Sequence, residues 1–309
     1  ELQAVRAAPR RLALALLALA LVAPAAAQGP DDPPDVVLTT EVVVVNVVVT
    51  HGADFAKGLA ATDFAVSEDG KPQEIKFFGA ESTPFAAAIL LDTSGSMEYK
   101  LRLARVAAAR FMDRTRPEDR VAVYLFGSQV RRLQDFLPGG RDLADGLWDT
   151  SAEGVTKMYD CIGQAIEALS KRPEARRAIV LLSDGADFGS AINYDEAVKR
   201  ANAAGVTLYT IDLAPIGGTP VLRKSEEMQA RSIMRGFAEK SGGRFFATKG
   251  GSDLSDAFAR IVEELGNQYT LSYEPTNTKR DGTFRKITVT CARQGVKLRA
   301  REGYQAPSE

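Results

Sequence analysis

The sequence predicts an α/β fold, a doubly wound and mostly parallel sheet, carrying a β-sandwich built from its two flanking stretches. Three observations predict it. From about residue 85 to 266, short apolar strands alternate with helical segments, and parallel strands need crossover helices to connect them. The stretches on either side, 28–84 and 267–309, carry strand patterns and turn signals instead. Neither has enough strands for a stable sheet by itself, so 36–79 is expected to pair with the C-terminal stretch across the middle domain. Two separate small modules is the alternative.

The elements follow in chain order. Residues 1–27 have the three parts of a secretory signal peptide: Arg6, Arg10 and Arg11, an unbroken apolar run over 12–23, and the exit Ala25-Ala26-Ala27 before Gln28. The run is short for a bilayer span, and a retained anchor is the rival reading. Cleavage after Ala27 would leave a periplasmic or secreted chain with no integral membrane segment. Residues 42–49 are almost wholly β-branched and apolar on both alternating faces, so this strand is expected to be covered on both sides. Strands over 64–68 and 73–78 flank Asp69-Gly70, a hairpin signal. In the middle domain, strands are expected over 86–91, 121–126, 178–182 and 206–211. The first helix carries Met97, Leu101, Ala104, Ala108 and Phe111 at spacings of three and four. Further helices are expected over 158–169, 194–204, 225–240 and 254–265. Strands over 268–273, 284–291 and 296–300 close the chain.

Composition narrows the chemistry. The 309 residues hold 39 basic and 40 acidic side chains, a formal net charge of −1, which argues against nucleic acid as a partner and against a polybasic membrane binder. Two cysteines cannot make a disulfide framework or a thiolate zinc cage. Cys161 falls on an apolar helical stripe and Cys291 in a strand-like run, so two buried thiols are expected rather than a bridge. The lone histidine, His51, excludes multi-histidine metal sites and leaves a Ser-His-Asp triad resting on that one residue. Chemistry done with oxygen ligands remains.

Open parallel sheets bind ligands at the carboxyl ends of their strands, beside the topological switch point. Asp92 follows the first middle-domain strand at once, in Asp92-Thr93-Ser94-Gly95-Ser96-Met97, and Asp184 follows the 178–182 strand in Ser183-Asp184-Gly185. If the two strands are neighbours, both carboxylates face one crevice with Ser94 and Ser96, and Thr156 adds a third hydroxyl from the loop before the 158–169 helix. Such a hard, all-oxygen set suits Mg²⁺, with Mn²⁺ or Ca²⁺ as alternatives. One coordination position can then stay open for an outside ligand, most naturally a partner's carboxylate. The same Asp and Ser types also serve as helix N-caps.

On these residues the middle domain resembles a von Willebrand factor type A domain, with a Rossmann-like sheet. The resemblance implies that Asp92, Ser94, Ser96, Thr156 and Asp184 form its metal-ion-dependent adhesion site, in which the aspartates often act through water. The runs Ala61-Thr62-Asp63-Phe64, Met158-Tyr159-Asp160, Gln268-Tyr269 and Arg301-Glu302-Gly303-Tyr304 make the whole chain after residue 27 similar to the subgroup of acidobacterial VWFA-related proteins. One departure is Lys157, where such domains carry a small residue. Its cation either weakens metal binding or helps hold an acidic partner, or it is simply solvated. Gly217 and Gly218, in the loop after the 206–211 strand with Arg223-Lys224, are candidates for the partner-binding rim; an ordinary surface loop is the alternative.

The resulting expectation is an exported adhesion or scaffolding module, not an enzyme, that captures an acidic residue of a protein ligand through Mg²⁺. The first alternative is a metal-assisted hydrolase or phosphotransferase using Asp92. That position is similar to the aspartyl nucleophile of haloacid dehalogenases, but their chemistry wants a second aspartate where Ser94 stands, and a water-activating enzyme needs a general base. The other alternative is a purely structural envelope domain.

Overall fold

The computed structural model describes residues 42–80, 83–152, 154–185, 187–213 and 224–308. The signal-peptide segment and the Gly217-Gly218 loop lie outside the described residues. Residues 40–309 form one compact unit. Its strands are β1 (Val43–His51), β2 (Asp54–Phe55), β3 (Phe64–Glu68), β4 (Lys71–Gln73), β5 (Ile75–Gly79), β6 (Phe85–Asp92), β7 (Arg120–Phe126) and β8 (Val130–Pro138). There follow β9 (Arg176–Ser183), β10 (Val206–Asp212), β11 (Phe245–Ala247), β12 (Tyr269–Tyr273), β13 (Phe284–Cys291), β14 (Val296–Arg299) and β15 (Gly303–Gln305). The helices are α1 (Leu101–Arg114), α2 (Met158–Ser170), α3 (Tyr194–Ala203), α4 (Lys224–Ser241) and α5 (Gly251–Gly266).

The central sheet has the order β11-β10-β9-β6-β7-β8. Its first four pairings are parallel, and β8 runs antiparallel to β7 at the edge. The sequence reading missed β8 because only Gln134 of its nine residues is fully buried, which leaves no apolar run to see. With two further antiparallel sheets in the same unit, the sheet content is mixed rather than mostly parallel. Strand β6 is buried at every position. Phe85, Ala87, Ile89 and Leu91 face α1 and α5, while Ala86, Ala88 and Leu90 face α2, α3 and α4. Two covered faces explain why this strand reads as a continuous apolar run.

The flanking strands form two antiparallel sheets, β14-β1-β12-β5, with β2 beside β1, and β15-β13-β3-β4. Strand β1 pairs with β12 from Val43↔Tyr273 to Val47↔Tyr269 and with β14 from Val48↔Arg299 to His51↔Val296. The two sheets share one apolar cluster that includes Val45, Val47, Phe64, Val66, Leu271 and Ile287. The expected single strand over 73–78 is divided. Residues 71–73 pair with β3 through the Asp69-Gly70 turn, where both φ angles are positive, and 75–79 cross to the other sheet beside β12. One short segment thus closes a corner between the sheets.

Polar side chains fasten the flanks to the α/β layer. Arg176, at the start of β9, is fully buried. Its guanidinium donates to Thr270 Oγ1 (3.2 Å) and to the carbonyls of Thr83 (3.1 Å), Leu265 (3.3 Å) and Ala80. Thr270 in turn donates to Asn46 Oδ1 (3.0 Å), the polar interruption in β1. Arg301 donates to the carbonyls of Asn202 at the end of α3 and Val44 in β1. Most buried polar groups find hydrogen-bond partners, and these find theirs across layers, with Arg301 Nε left without one.

The runs that carry the subgroup resemblance are structural parts. Tyr269 Oη donates to the Ala56 carbonyl (2.9 Å) and accepts from the Leu59 amide (3.2 Å). Tyr304 and Tyr273 both donate to the buried Glu68 carboxylate, at 3.0 and 2.8 Å. At Gly303 a Cβ would stand 2.2 Å from the Arg285 carbonyl oxygen, so only glycine fits. Neither cysteine is bridged. Cys161 is buried, and that burial pushes its thiol pKa well up. Cys291 is half-buried rather than fully buried.

Candidate metal centre

Strands β6 and β9 are parallel neighbours from Phe85↔Arg176 to Leu91↔Leu182, which brings Asp92 and Ser183-Asp184 to one edge. Helix α1 leaves β6 on one face of the sheet and α3 leaves β9 on the other. This divergence opens a crevice between the two strand ends. A cavity of about 660 Å³, lined by Thr93, Ser128, Arg131, Asp149, Ser151 and Gly154 among others, lies alongside.

Asp92 is completely buried. Its Oδ1 accepts from the Ser94 amide (2.8 Å) and its Oδ2 from Ser183 Oγ (2.5 Å). Burial, and then the nearby Asp184 carboxylate, push the Asp92 pKa up to about 7. A carboxyl so placed gains most from an added positive charge. Ser94 and Ser96 hold their Oγ atoms 3.1 Å apart. Ser94 occupies the N-cap of the one-turn helix Gly95–Met97 but makes no side-chain capping bond. The capping role that its residue type allows is therefore not used, and the hydroxyl faces its neighbour.

Asp184 is buried, and its Oδ1 has no hydrogen-bond partner. Thr156 is buried at the same edge. Its carbonyl accepts from the Phe188 amide (3.0 Å), and Gly95 N donates to the Gly154 carbonyl (3.4 Å), joining the 154–156 loop to the serine turn. Lys157 takes the N-cap of α2, with its backbone amide donating to the Gly127 carbonyl (3.2 Å). Its stem crosses Gly189, where a Cβ would lie 3.6 Å from Cγ, so the lysine stands at the rim. Asp160 and Asp187 shape the outer loop. Asp160 Oδ1 accepts from the amides of Ala191 and Ile192, and Asp187 Oδ2 from the Tyr159 amide.

The donors suit a hard divalent cation. Every one is an oxygen, and a buried carboxylate oxygen without a partner, Asp184 Oδ1, is what a missing ligand contact leaves behind. The Ser94–Ser96 oxygen separation matches the edge of an octahedron whose metal–oxygen bonds are about 2.1 Å. Ser94, Ser96 and Asp184 could hold the ion, with Asp92 behind them, since both Asp92 oxygens already have protein donors. Among the described residues there is no group of three or more His, Cys, Asp and Glu side chains spaced for a metal; hydroxyls supply the rest of this donor set.

The sequence reading missed Lys100. It ran one helix from Met97 through Phe111, which leaves Lys100 off the apolar stripe. Instead, the turn Gly95–Met97 precedes α1, Lys100 becomes the α1 N-cap, and its Nζ lies 3.5 Å from Asp184 Oδ2. His51 stands at the exposed end of β1 against Gly295, among the flanking strands. Three exposed apolar side chains, Tyr99, Val155 and Phe188, belong to the loops that carry the site.

Residues 87–186 match the family model of the von Willebrand factor type A domain, a span that holds all five expected ligand positions. No curated protein matches the chain. Among solved structures, the chain is similar to the pilus adhesin SpaC from Lactobacillus rhamnosus GG in its open conformation, with a TM-score of 0.51, 11% identity, and coverage of 81% of this chain and 49% of that one. It therefore spans about half of that adhesin. The von Willebrand factor type A protein from Catenulispora acidiphila gives 0.47 at 15% identity, covering 88% and 75%. The corresponding domain of the type V pili tip protein Mfa5 from Porphyromonas gingivalis gives 0.46 at 15%, covering 60% and 95%. On the family match, residues 87–186 of the chain form a von Willebrand factor type A domain.

Proposed function

We propose that this is an exported, non-enzymatic adhesion or scaffolding module that captures an acidic residue of a partner protein at a Mg²⁺ site. The observation that carries this reading is the pairing of Ser94 and Ser96 Oγ, 3.1 Å apart, with a buried and unpartnered Asp184 Oδ1. Bound there, Mg²⁺ would offer a coordination position to an outside carboxylate. The chain's own residues do the rest. Ser94, Ser96, Thr156 and Asp184 present oxygens, Asp92 and Ser183 fix the serine turn, and Lys157 adds positive charge at the rim. Exposed Tyr99, Val155 and Phe188 give a protein surface something apolar to cover. One of the similar structures is the pilus adhesin SpaC, which accords with adhesion. Among the described residues no helix is long and apolar enough to cross a membrane; the export signal is read from 1–27, and the expected division at residues 27, 84 and 266 belongs to the same reading.

The experiment is a Mg²⁺-dependent pull-down from the native envelope with the wild type, Asp92→Ala and Ser94→Ala. Partners retained by the wild type alone, and released by chelator, support the proposal. Partners retained equally by all three would contradict it. A phosphatase assay with generic substrates tests the hydrolase alternative, and Mg²⁺-dependent turnover abolished in Asp92→Asn would establish it instead.

A further inference from the structure

The site already faces one cation that the chain itself supplies. Lys100 Nζ lies 3.5 Å from Asp184 Oδ2, and the two side chains are 9% and 7% exposed. The position is an expensive one for an ammonium. Lys100 is the α1 N-cap, where the free amides of the first helical turn present partial positive charge. Burial also removes the water that a lysine head normally keeps by extending along its stem to the surface. Its carbonyl does the helical work, accepting from the Ala104 amide at 3.0 Å, and any residue supplies that. The side chain is held inward by Asp184, so it belongs to the electrostatics of the site.

We propose that Lys100 is a built-in counter-cation that sets both the metal affinity and the net charge of this centre. The inference rests on the metal reading above. In the metal-free chain the ammonium neutralises Asp184, so a divalent ion must bind against it. Once a divalent ion holds both Asp92 and Asp184 ionised, two carboxylates, the Lys100 ammonium and the ion give the loaded centre a net charge of +1. Without the lysine the loaded centre would be neutral. In a partly shielded site, an excess positive charge favours one more anionic ligand. Lys100 therefore weakens the metal alone and strengthens the hold of the loaded site on an incoming carboxylate, which couples the two binding events.

The test titrates MgCl₂ and MnCl₂ into the full chain, following heat and the metal-induced rise in melting temperature, for the wild type, Lys100→Met, Lys100→Gln and Lys100→Arg. Lys100→Met keeps most of the apolar stem and removes the charge; Lys100→Gln serves if methionine disturbs folding. Both neutral variants are expected to bind metal more tightly, on the order of tenfold or more, the scale of a unit-charge interaction in a partly buried site. Their metal-induced melting shifts should grow, while Lys100→Arg stays near the wild type. Binding that appears only when the lysine is removed also supports the proposal. Equal or weaker binding by both neutral variants, with Asp92→Asn abolishing it in every background, overturns the lysine proposal and leaves the metal site standing. Absence of binding in the wild type and both neutral variants contradicts the two together.

Discussion

Asp92 carries the chemistry of the site at the residue scale, and its environment makes a pH prediction. Its folded pKa, pushed up to about 7 by burial and by Asp184, lies above its ordinary value of 3.8. A carboxyl raised in this way contributes stability that is fully present below about pH 4 and is lost as pH rises through about 7. In chelator, the stability of the wild type minus that of Asp92→Asn should therefore fall across that window, because asparagine does not titrate. A difference that stays flat or rises would mean that the buried carboxyl is compensated in some way the geometry lacks. Ser183 tests the same residue from the other side. Its hydroxyl is a 2.5 Å donor to Asp92 Oδ2, and Ser183→Ala removes a hydrogen bond to an ionisable acceptor, worth about 1.5–3 kcal/mol when the acceptor is charged. Urea midpoints of the metal-free chain should show the loss growing with pH as Asp92 ionises.

At the element scale, the site depends on how tightly α4 packs behind the loop that carries Asp184. Gly185 has φ +88°, and a Cβ there would stand 2.8 Å from the Ala230 carbonyl oxygen and 2.9 Å from Met234 Sδ. Gly185→Ala is both strained and crowded, so it should destabilise the chain by about 1–3 kcal/mol and displace Asp184. Weaker metal binding together with a lower melting temperature is the expected result; unchanged values in both would show that the loop is not braced by α4. The same scale shows what was legible in the sequence. Strand β6 and the two aspartates were readable because a fully covered parallel strand is one apolar run and its ligand residues follow it directly. Lys100 was not readable, because a one-turn helix between Ser94 and α1 changes the phase of the helical pattern. Strand β8, half-exposed, and β4, three residues long, present too little periodicity to detect. Gly217 and Gly218 stay an expectation of the sequence.

Across the whole molecule, an α/β layer with the proposed ligand site at one edge is tied at its other end to two sheets drawn from both chain flanks. Arg176 is the main fastening, since its guanidinium reaches Thr83, Ala80, Leu265 and Thr270 on separate segments. Arg176→Met would strand two buried acceptors, Thr270 Oγ1 and the Leu265 carbonyl, at about 1–3 kcal/mol each when no water replaces the donor. A lowered urea midpoint and a split unfolding transition, the flanking sheets melting first, are expected. A single transition at the wild-type midpoint would contradict that role. The flank motifs that suggested a subgroup turn out to be packing devices, such as Gly303 against the Arg285 carbonyl and Tyr304 on Glu68. They explain the architecture rather than the ligand. On the proposed reading, the ligand is decided at Asp92, Ser94, Ser96, Thr156 and Asp184. The most direct measurement is a calorimetric titration of Mg²⁺ into the full wild-type chain beside Asp92→Ala and Ser94→Ala. Saturable one-site binding in the wild type that is lost in both variants is the predicted result. No binding by the wild type at millimolar metal, or equal binding by all three, would contradict it.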